Sequence, residues 1–454
     1  MKAQMQLAKA LTLLSLLAIS ASTLPQDAQD ALSHVGVNLG GWYLIEEWMF
    51  SNGQFDRVVE MSDLPQGVVM PPLLPDGMGE NWYGEGDLIN KIATKYSDDF
   101  AVQVIEAHRQ AYVTDEDIAS MKSANITNVR MPLGWWAFVE ESTKSESTLI
   151  TDPAHSDMRF VTITHDALIG EIQRFKDAGL NVLLDIHAMP GGSSEGSYSG
   201  IFPSTPMFWD DASLMKLGNS IIESLCNFYL NLDDELRDSI TGITLLNEPA
   251  HNMDIDTYKP IMTNWLAGAI DIYRKKVVEG GKDGLESVPK LFVNLIGTAM
   301  SDQDMLDFFH ATFTPSELEN WAVLDIHHYF AWDGGHNGCY EEDSCSFQCS
   351  DSATEEGLDN IKGIVRDGAE SSHSFFFDNG TIPLVSCSEY SLATYDTSEA
   401  ACRGQSILDA MFLGQKKSFK DQGLFGAFFW TWKMPYGGAH ENAWSLKKFL
   451  GLGS

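Results

Sequence analysis

The chain has 454 residues, of which 44% are hydrophobic, so it is long enough to bury a large core. Its 64 acidic and 29 basic side chains give a formal net charge of −35 at pH 7. Such a negative chain repels phosphate backbones and anionic lipid, which excludes nucleic acid as an expected partner.

The chain begins with a segment typical of a secretory signal peptide. Lys2 and Lys9 precede an apolar stretch, Leu11 to Ala21, that ends in small residues. We therefore expect residues 1–21 to be a signal peptide and the protein to be secreted. This stretch is shorter than the roughly 18 apolar residues that a membrane helix needs. No later segment is long and apolar enough, so we expect no membrane span.

Eight short apolar runs rich in β-forming residues follow in chain order. They cover residues 34–40, 126–134, 181–188, 242–249, 290–297, 321–329, 383–391 and 424–432. Stretches with helical periodicity lie between several of them, at residues 165–179, 213–230, 258–277 and 402–423. Eight alternating units predict an α/β fold of the (β/α)8 TIM-barrel type. A doubly wound open sheet also alternates, but the first run lacks the GxGxxG fingerprint.

The first two predicted strands are separated by a long segment, residues 51–115, rich in Pro, Gly and Asp. It shows no separate periodic core, so we interpret it as a loop insertion. A barrel with insertions holds more than about 250 residues. We therefore expect residues 22–454 to form a single domain with long βα-loop insertions.

The six cysteines of a secreted chain predict disulfides. Cys339, Cys345 and Cys349 crowd into one short segment, and their pairing cannot be determined from spacing. A zinc site is the alternative, disfavoured because no CxxC spacing occurs and the compartment oxidises thiols. Asn125 and Asn379 begin triplets that fit the N-glycosylation pattern.

Polar and aromatic residues collect at the ends of six predicted strands. In a (β/α)8 barrel the active site forms at the C-terminal ends of the strands. Each such residue alone could have a structural role, but their common location favours a functional site. They are Arg130, His187, Asn247, Glu248, His327, His328, Tyr329, Glu389, Trp430 and Trp432.

Glu248 and Glu389 are the two carboxylates of this set, and such a pair beside aromatic rings suits cleavage of a glycosidic bond. One carboxyl must be protonated to assist the leaving oxygen, and the other must be ionised. We expect the charge of one carboxylate to raise the pKa of the other. Arg130 would keep the nucleophile ionised, and Asn247 would hydrogen-bond the sugar 2-hydroxyl.

Two other chemistries have weaker signals. Ser194, in the GSSEG segment, matches the GxSxG motif of serine hydrolases, but it lies several residues past its strand rather than on a sharp strand-to-helix turn. Asp325, His327, His328 and His336 could suggest a metal centre. Alternation along a strand places the two adjacent histidines on opposite faces. We therefore expect no metal.

These motifs resemble the retaining glycoside hydrolases of family 5, and among them the secreted exo-β-1,3-glucanases of fungi and related walled eukaryotes such as oomycetes. The likeness runs through GVNLGGWYLIEEWM, VTDEDIASMKSANITNVRMPLGWWAF, GLNVLLDIHAMPGG, TGITLLNEP, DIHHYF, CSEYS and GAFFWTWK. It covers nearly the whole chain after the expected signal peptide.

The resemblance implies a catalytic (β/α)8 domain that needs no cofactor, with Glu248 as acid/base and Glu389 as nucleophile. Retention requires their carboxyl groups to lie about 5 to 5.5 Å apart. Glu46 would grip hydroxyls of the terminal glucose, and Trp332 with Tyr198 would form an aromatic clamp. The implied supporting residues are Arg130, His187, Asn247, His327, Tyr329 and Trp430.

The resemblance further implies a β-1,3-glucan polysaccharide or oligosaccharide as substrate, glucose as product, and an extracellular or cell-wall location. We expect a monomer. Ser388 and Tyr390 stand where the family usually has Gly and Trp, Glu47 stands where Pro is common, and residues 432–445 form a longer segment than usual. An endo-acting, β-1,6- or β-1,4-specific enzyme is therefore an alternative. A non-catalytic glucan-binding wall protein is another, disfavoured because binding alone needs no acid and nucleophile pair.

Overall fold

The computed structural model describes residues 35–50, 82–280, 288–295, 300–331, 347–380, 382–394, 401–434 and 441–453. Eight parallel strands close a barrel in the order β1-β10-β9-β8-β7-β6-β5-β2, which confirms the predicted (β/α)8 fold. Seven of the eight lie within the predicted apolar runs, whereas the fourth, Ile240–Thr244, begins two residues before the run predicted at 242–249. The barrel strands are β1 (Val35–Asn38), β2 (Asn128–Gly134), β5 (Asn181–Ala188), β6 (Ile240–Thr244), β7 (Lys290–Asn294), β8 (Ala322–His328), β9 (Val385–Tyr390) and β10 (Gly426–Phe429).

The barrel strands are buried along nearly their whole length, as expected for parallel strands covered on both faces. Two phenylalanine rings fill the space beside two glycines. A Cβ atom at Gly36 would lie 2.2 Å from the Phe428 ring, and one at Gly242 would lie 2.6 Å from the Phe292 ring. A larger residue at either glycine would displace these rings, so the packing requires glycine there.

Helices follow or flank the strands. All four stretches predicted as amphipathic helices are helical, as α4, α5, α7 and α11. The described helices are α1 (Glu85–Lys95), α2 (Asp98–Tyr112), α3 (Asp115–Ser123), α4 (His165–Ala178), α5 (Ala212–Asn231), α6 (Asp234–Arg237), α7 (Ile255–Tyr273), α8 (Asp302–Thr312), α9 (Pro315–Asn320), α10 (Glu355–Gly380), α11 (Gln405–Gln422), α12 (Glu441–Trp444) and α13 (Leu446–Phe449).

Part of the predicted insertion after β1 is described, and it forms helices α1 and α2. Residues 51–81 lie outside the described ranges. An antiparallel hairpin of β3 (Leu149–Thr151) and β4 (Arg159–Val161) lies next to these helices. Buried Arg109 of α2 donates to the carbonyls of Val161 and Thr162, and its own carbonyl accepts from Trp42 Nε1 at 2.7 Å. These bonds fix the insertion against the loop that follows β1.

One disulfide joins Cys349 to Cys402, 53 residues apart. Cys349 is therefore not available as a thiolate ligand for the zinc site considered above, while Cys339 and Cys345 lie outside the described residues. Cys226 and Cys387 are buried free thiols. Within the described ranges, no helix is both long and apolar enough to cross a membrane.

The expected signal peptide, residues 1–21, lies outside the described ranges. Asn125 is exposed just after α3, so its glycosylation stays a prediction that its position permits. The side chain of Asn379 is outside the described part of the chain.

Candidate active site

The barrel brings the strand-end residues of the sequence analysis together at one end. Because all eight strands are parallel, their carboxyl ends surround one opening. The side chains described below come from β1, β2, β5, β7, β8 and β9 and from the segments that follow β1, β5, β6, β8 and β10.

Arg130 of β2 is fully buried and organises the floor of the site. Strand register places Asn38 of β1 beside it, and Arg130 Nη1 donates to Asn38 Oδ1 at 2.9 Å and to Glu389 Oε1 at 2.5 Å. Its Nη2 donates to Asn247 Oδ1 at 2.7 Å and lies 3.0 Å from Asp185 Oδ2. Two carboxylates thus compensate one buried guanidinium, which is costly to leave unpaired.

Glu389, near the end of β9, has a donor at each carboxylate oxygen. Arg130 donates to Oε1, and Tyr329 Oη donates to Oε2 at 2.7 Å. The side chain is 6% exposed, so it is largely buried but not closed off from solvent. Both carboxylate oxygens are thus held in a fixed orientation by hydrogen bonds.

The backbone of Glu248 is held in an unusual conformation after β6. Its φ is +39°, in the region that non-glycine residues rarely adopt. Asn294 Oδ1 accepts from the Glu248 N–H at 2.7 Å, and the Ser194 hydroxyl donates to the Glu248 carbonyl. Ser194, weighed above as a nucleophile, therefore supports the loop that carries Glu248.

The carboxylate of Glu248 lies between two imidazoles. Its Oε1 is 2.6 Å from His327 Nδ1, and its Oε2 is 3.0 Å from His251 Nδ1. Burial acts to raise the pKa of Glu248, but His251 and His327 outweigh burial and hold that pKa well below its usual range. The neighbouring carboxylates in turn raise the pKa values of both histidines against the effect of burial.

The expectation that a carboxylate charge would raise the pKa of the acid is therefore wrong for Glu248. The physical reason is His251, which the sequence analysis did not place in the site, together with His327. A proton near Glu248 is shared with imidazole rings rather than held by the carboxyl alone.

The two glutamates lie close together across the mouth. One oxygen of Glu248, one oxygen of Glu389 and a nitrogen of His327 all lie within 4.8 Å of one another. Carboxyl groups of inverting enzymes are separated by about 6.5 to 9.5 Å, to leave room for a water molecule. The spacing found here fits the shorter retaining arrangement.

His187 of β5 connects the floor of the site to an aromatic wall. Its Nδ1 donates to Asp185 Oδ2 at 2.6 Å, which leaves Nε2 to accept from Asn247 Nδ2 at 3.3 Å. The Trp430 ring stacks on His187 with centroids 5.5 Å apart and planes 16° apart. Asp185 thereby fixes the ring of His187 and, through it, the amide of Asn247.

Glu46, in the loop after β1, is buried beside the catalytic candidates. Burial raises the pKa of Glu46 to about 7. Its Oε2 accepts from Trp48 Nε1 at 2.9 Å, whereas its Oε1 is buried with no hydrogen-bond partner among the described residues. A buried acceptor of this kind costs free energy until a donor reaches it.

Aromatic rings surround the opening. Trp444 contacts both Trp48 and Tyr329, with ring centroids 5.2 and 5.4 Å apart. Tyr198 Oη lies 2.6 Å from His251 Nδ1, and His251 in turn contacts Glu248. Trp332, the other predicted clamp residue, lies outside the described residues.

Two strand-end residues named in the sequence analysis face elsewhere. Trp432 Nε1 donates to Asp117 Oδ1 of α3 at 3.0 Å; β10 ends at Phe429, so strand alternation does not extend to Trp432. His328 packs edge-on against Phe330, while its neighbour His327 contacts Glu248. His336, considered with His328 in the disfavoured metal interpretation, lies outside the described residues.

Several residues of the site were not predicted from the sequence. Asn38 and Asn294 are polar residues at strand ends, so the criterion that found Arg130 would also have found them. His251 and Trp444 follow no strand directly and carry no comparable signal. The missed residues are Asn38, Trp48, Asp185, His251, Asn294 and Trp444.

Comparison with known proteins gives related sequences and folds. No family model matches the chain. It is 28% identical over 297 residues to a glucan 1,3-β-glucosidase of Lachancea kluyveri, a match that covers 65% of this chain and only 55% of that protein. It is 25% identical over 465 residues to the probable glucan 1,3-β-glucosidase A of Aspergillus niger, covering 94% of this chain and 91% of that one.

Solved structures with the same fold include the rutinosidase of Aspergillus niger, with a TM-score of 0.58, 15% identity, and coverage of 92% of this chain and 97% of that chain. PbGH5A of Prevotella bryantii, a glycoside hydrolase family 5 enzyme, matches with a TM-score of 0.50, 14% identity, and coverage of 93% and 96%. The chain is therefore similar in sequence to curated glucan 1,3-β-glucosidases and shares the (β/α)8 fold with these solved glycosidase structures.

Proposed function

We propose that the chain is a retaining β-glucan hydrolase that releases glucose from the ends of β-1,3-linked glucan. The observation that carries this proposal is the arrangement of Glu248 and Glu389. One carboxylate oxygen of each lies within 4.8 Å of the other, and different side chains surround the two groups. Glu389 is held by a guanidinium and a phenol, whereas Glu248 is held by two imidazoles. Homology to curated glycosidases supports the reaction class.

In the first step, a Glu389 oxygen attacks the anomeric carbon and the glycosidic C–O bond breaks. The leaving oxygen takes the proton shared by Glu248 and His327, so no alkoxide has to depart. Arg130 stabilises Glu389 before attack, and Tyr329 donates to its other oxygen. The product is a glucosyl ester of Glu389 and a shortened glucan.

In the second step, Glu248 acts as a base. Its carboxylate takes a proton from water as the water oxygen attacks the anomeric carbon, and Glu389 leaves as a carboxylate. Two inversions give net retention, and the proton returns to the pair of Glu248 and His327. All steps use side chains of this chain, which is the basis for proposing that no cofactor or metal is needed.

Substrate contacts are proposed from the unused polar atoms. Glu46 Oε1 has no partner in the described structure, so a sugar hydroxyl could donate to it. Asn247 uses one amide N–H toward His187 and has a second for the sugar 2-hydroxyl. The rings of Trp430, Trp48 and Tyr198 would contact the apolar C–H face of the sugar.

Exo-action is the finer part of the proposal. A carboxylate that grips terminal hydroxyls favours binding of a chain end over binding in mid-chain, and the relatives are named glucosidases. The segments expected to close one end of the groove are residues 51–115 and the loop from Cys339 to Cys349. Of these, residues 51–81 and 339–346 lie outside the described ranges. We further propose a secreted monomer with one catalytic domain over residues 22–454.

Product analysis on laminarin tests the exo proposal. We expect glucose as the dominant early product, in its β-anomeric form, with slow loss of chain length. A ladder of oligosaccharides ahead of free glucose would instead show endo-action. Parallel assays on pustulan and a soluble β-1,4-glucan test the linkage, and binding of laminarin without turnover would favour a non-catalytic wall protein.

A further inference from the structure

Ser388 lies directly before Glu389 and connects two groups that the mechanism above does not use together. Its hydroxyl donates to Asp325 Oδ2 at 2.5 Å, and its backbone N–H donates to Asp325 Oδ1 at 2.9 Å. The same hydroxyl oxygen lies 3.0 Å from His327 Nε2. The other nitrogen of that ring, Nδ1, lies 2.6 Å from Glu248 Oε1. A continuous row of hydrogen bonds therefore runs from buried Asp325 to the acid.

The donor and acceptor roles along this row follow from Asp325. Burial raises the pKa of Asp325, and His327, Arg130, Ser388 and Asn294 oppose this rise without removing it. Three donors point at the carboxyl group: the Ser388 hydroxyl, the Ser388 N–H and Asn294 Nδ2 at 3.1 Å. A carboxylate is the form that accepts from all three. The Ser388 hydroxyl therefore donates its proton to Asp325, and the lone pairs of the hydroxyl oxygen face His327.

His327 must then carry a proton on Nε2, because a bare Nε2 would face another lone pair. If the ring is neutral, its Nδ1 has no proton, and the 2.6 Å contact with Glu248 requires that the carboxyl is protonated. If the ring is charged, Nδ1 donates to an ionised Glu248. Both forms contain one transferable proton between Glu248 and His327.

We propose that Ser388 is a positioning residue that fixes the tautomer of His327 and thereby keeps a transferable proton between His327 Nδ1 and Glu248 Oε1. This inference rests on the proposed function of Glu248 as the acid. Without the hydroxyl, a neutral His327 could hold its only proton on Nδ1 and bind an ionised Glu248. The acid proton would then be lost at lower pH.

Other charged groups also face His327 and have to be held constant in a test. Glu389 Oε2 lies 3.5 Å from Nδ1, and Asp325 Oδ2 lies 3.9 Å from Nε2. Arg130 reaches this region through Glu389, and His251 shares Glu248. A substitution at Ser388 leaves all four of these groups in place.

The test compares Ser388→Ala with Ser388→Thr, which retains a hydroxyl. The matched control is Ser386→Ala, which removes another buried hydroxyl of β9 that donates to the Gly426 carbonyl. For Ser388→Ala we expect the alkaline limb of kcat/KM on laminarin to move down by about one pH unit, since one hydrogen bond corresponds to about a tenfold change. An aryl β-glucoside with a good leaving group should lose little activity.

Ser388→Thr should restore the alkaline limb toward the wild-type position, and Ser386→Ala should not move it. Histidine-labelled protein, assigned with His327→Gln, gives a second readout by ¹⁵N NMR. We expect a protonated Nε2 in the wild type at every pH and an Nδ1–H tautomer in Ser388→Ala at high pH.

A wild-type Nε2 without a proton overturns the proposed tautomer. An alkaline limb that stays in place in Ser388→Ala, or that moves equally in Ser386→Ala, overturns the positioning role. If the wild type cleaves no β-glucan, the proposed function fails instead, and the NMR comparison still decides whether Ser388 fixes the tautomer.

Discussion

Glu248 and Glu389 lie close together, but different side chains surround them, and each surrounding matches one catalytic task. Arg130 and Tyr329 stabilise negative charge on Glu389. His327 and His251 bring protons to Glu248. Truncation of the two glutamates should therefore have different effects on activity.

We expect Glu389→Ala to abolish turnover of every substrate, because no covalent intermediate can form. Glu248→Ala should lose about 10²- to 10⁴-fold on laminarin, the usual contribution of a general acid, but far less on the first step with an activated aryl glucoside. Steady-state and burst kinetics on both substrates measure the difference. Equal losses on the two substrates in Glu248→Ala would contradict the assigned roles.

Among the elements outside the barrel, helix α3 is joined to the segment after β10 by hydrogen bonds to Asp117. Its two oxygens accept from Trp432 Nε1, Lys433 Nζ and Lys447 Nζ. Burial acts to raise the pKa of Asp117, but Lys433 and the other donors outweigh it and lower that pKa. A carboxyl group whose pKa is lower in the folded than in the unfolded state stabilises the fold at pH values above its unfolded pKa. That stabilisation is lost as the pH falls through the folded pKa.

Asp117→Asn should therefore destabilise the fold by about 3 kcal/mol, because it leaves buried cationic groups without a carboxylate. Chemical unfolding at pH 7 measures this cost. The difference from wild type should shrink as the pH falls below about 4, where Asp117 of the unfolded wild type is protonated. A loss of less than about 0.5 kcal/mol in the free energy of unfolding, as for an ordinary surface substitution, would show that Asp117 does not stabilise this contact.

Elements with strong periodicity could be predicted from the sequence, and elements without it could not. The eight barrel strands and the helices α4, α5, α7 and α11 have apolar patterns that match their burial. Helix α10 (Glu355–Gly380) was not predicted, because its glycines and serines lower its helix propensity. It is stabilised by close packing against α11, where a Cβ atom at Gly414 would lie only 2.8 Å from the Lys362 carbonyl oxygen.

At the scale of the whole molecule, the position of the site could be predicted because parallel strands end at one opening. The hydrogen-bond roles within it could not. His251 lies in a loop, and only the fold places its ring against Glu248. Ser388 was noted as a departure from the family pattern, but its contact with His327 depends on the pairing of β8 with β9.

Buried carboxyls make the stability of the whole molecule depend on pH. Burial raises the pKa of Glu85 to about 7, from 4.5, despite nearby Arg109. The native state then binds more protons than the unfolded state between these values, so the contribution of Glu85 is full below pH 4.5 and is lost as pH rises through 7. Burial lowers the pKa of His373 to about 4, so the unfolded state binds this proton more readily than the native state. The contribution of His373 therefore makes stability rise with pH.

A difference between variant and wild type isolates the contribution of Glu85. Glu85→Gln keeps an acceptor for the Ile45 N–H but cannot ionise. We expect it to be similar to wild type in stability at about pH 4.5 and more stable by up to about 3 kcal/mol at pH 7. Denaturant unfolding at both pH values measures this, and a stability difference independent of pH would contradict the assigned shift.

Covalent trapping of the intermediate tests whether Glu389 is the nucleophile of a retaining reaction. A 2-deoxy-2-fluoro-β-glucoside with an activated leaving group slows hydrolysis of the glycosyl-enzyme more than its formation, so the adduct accumulates. We expect one fluoroglucosyl group per chain, attached to Glu389 in peptide mapping by mass spectrometry, and no adduct in Glu389→Ala. An adduct on another residue, or turnover to α-glucose without any adduct, would contradict this role of Glu389.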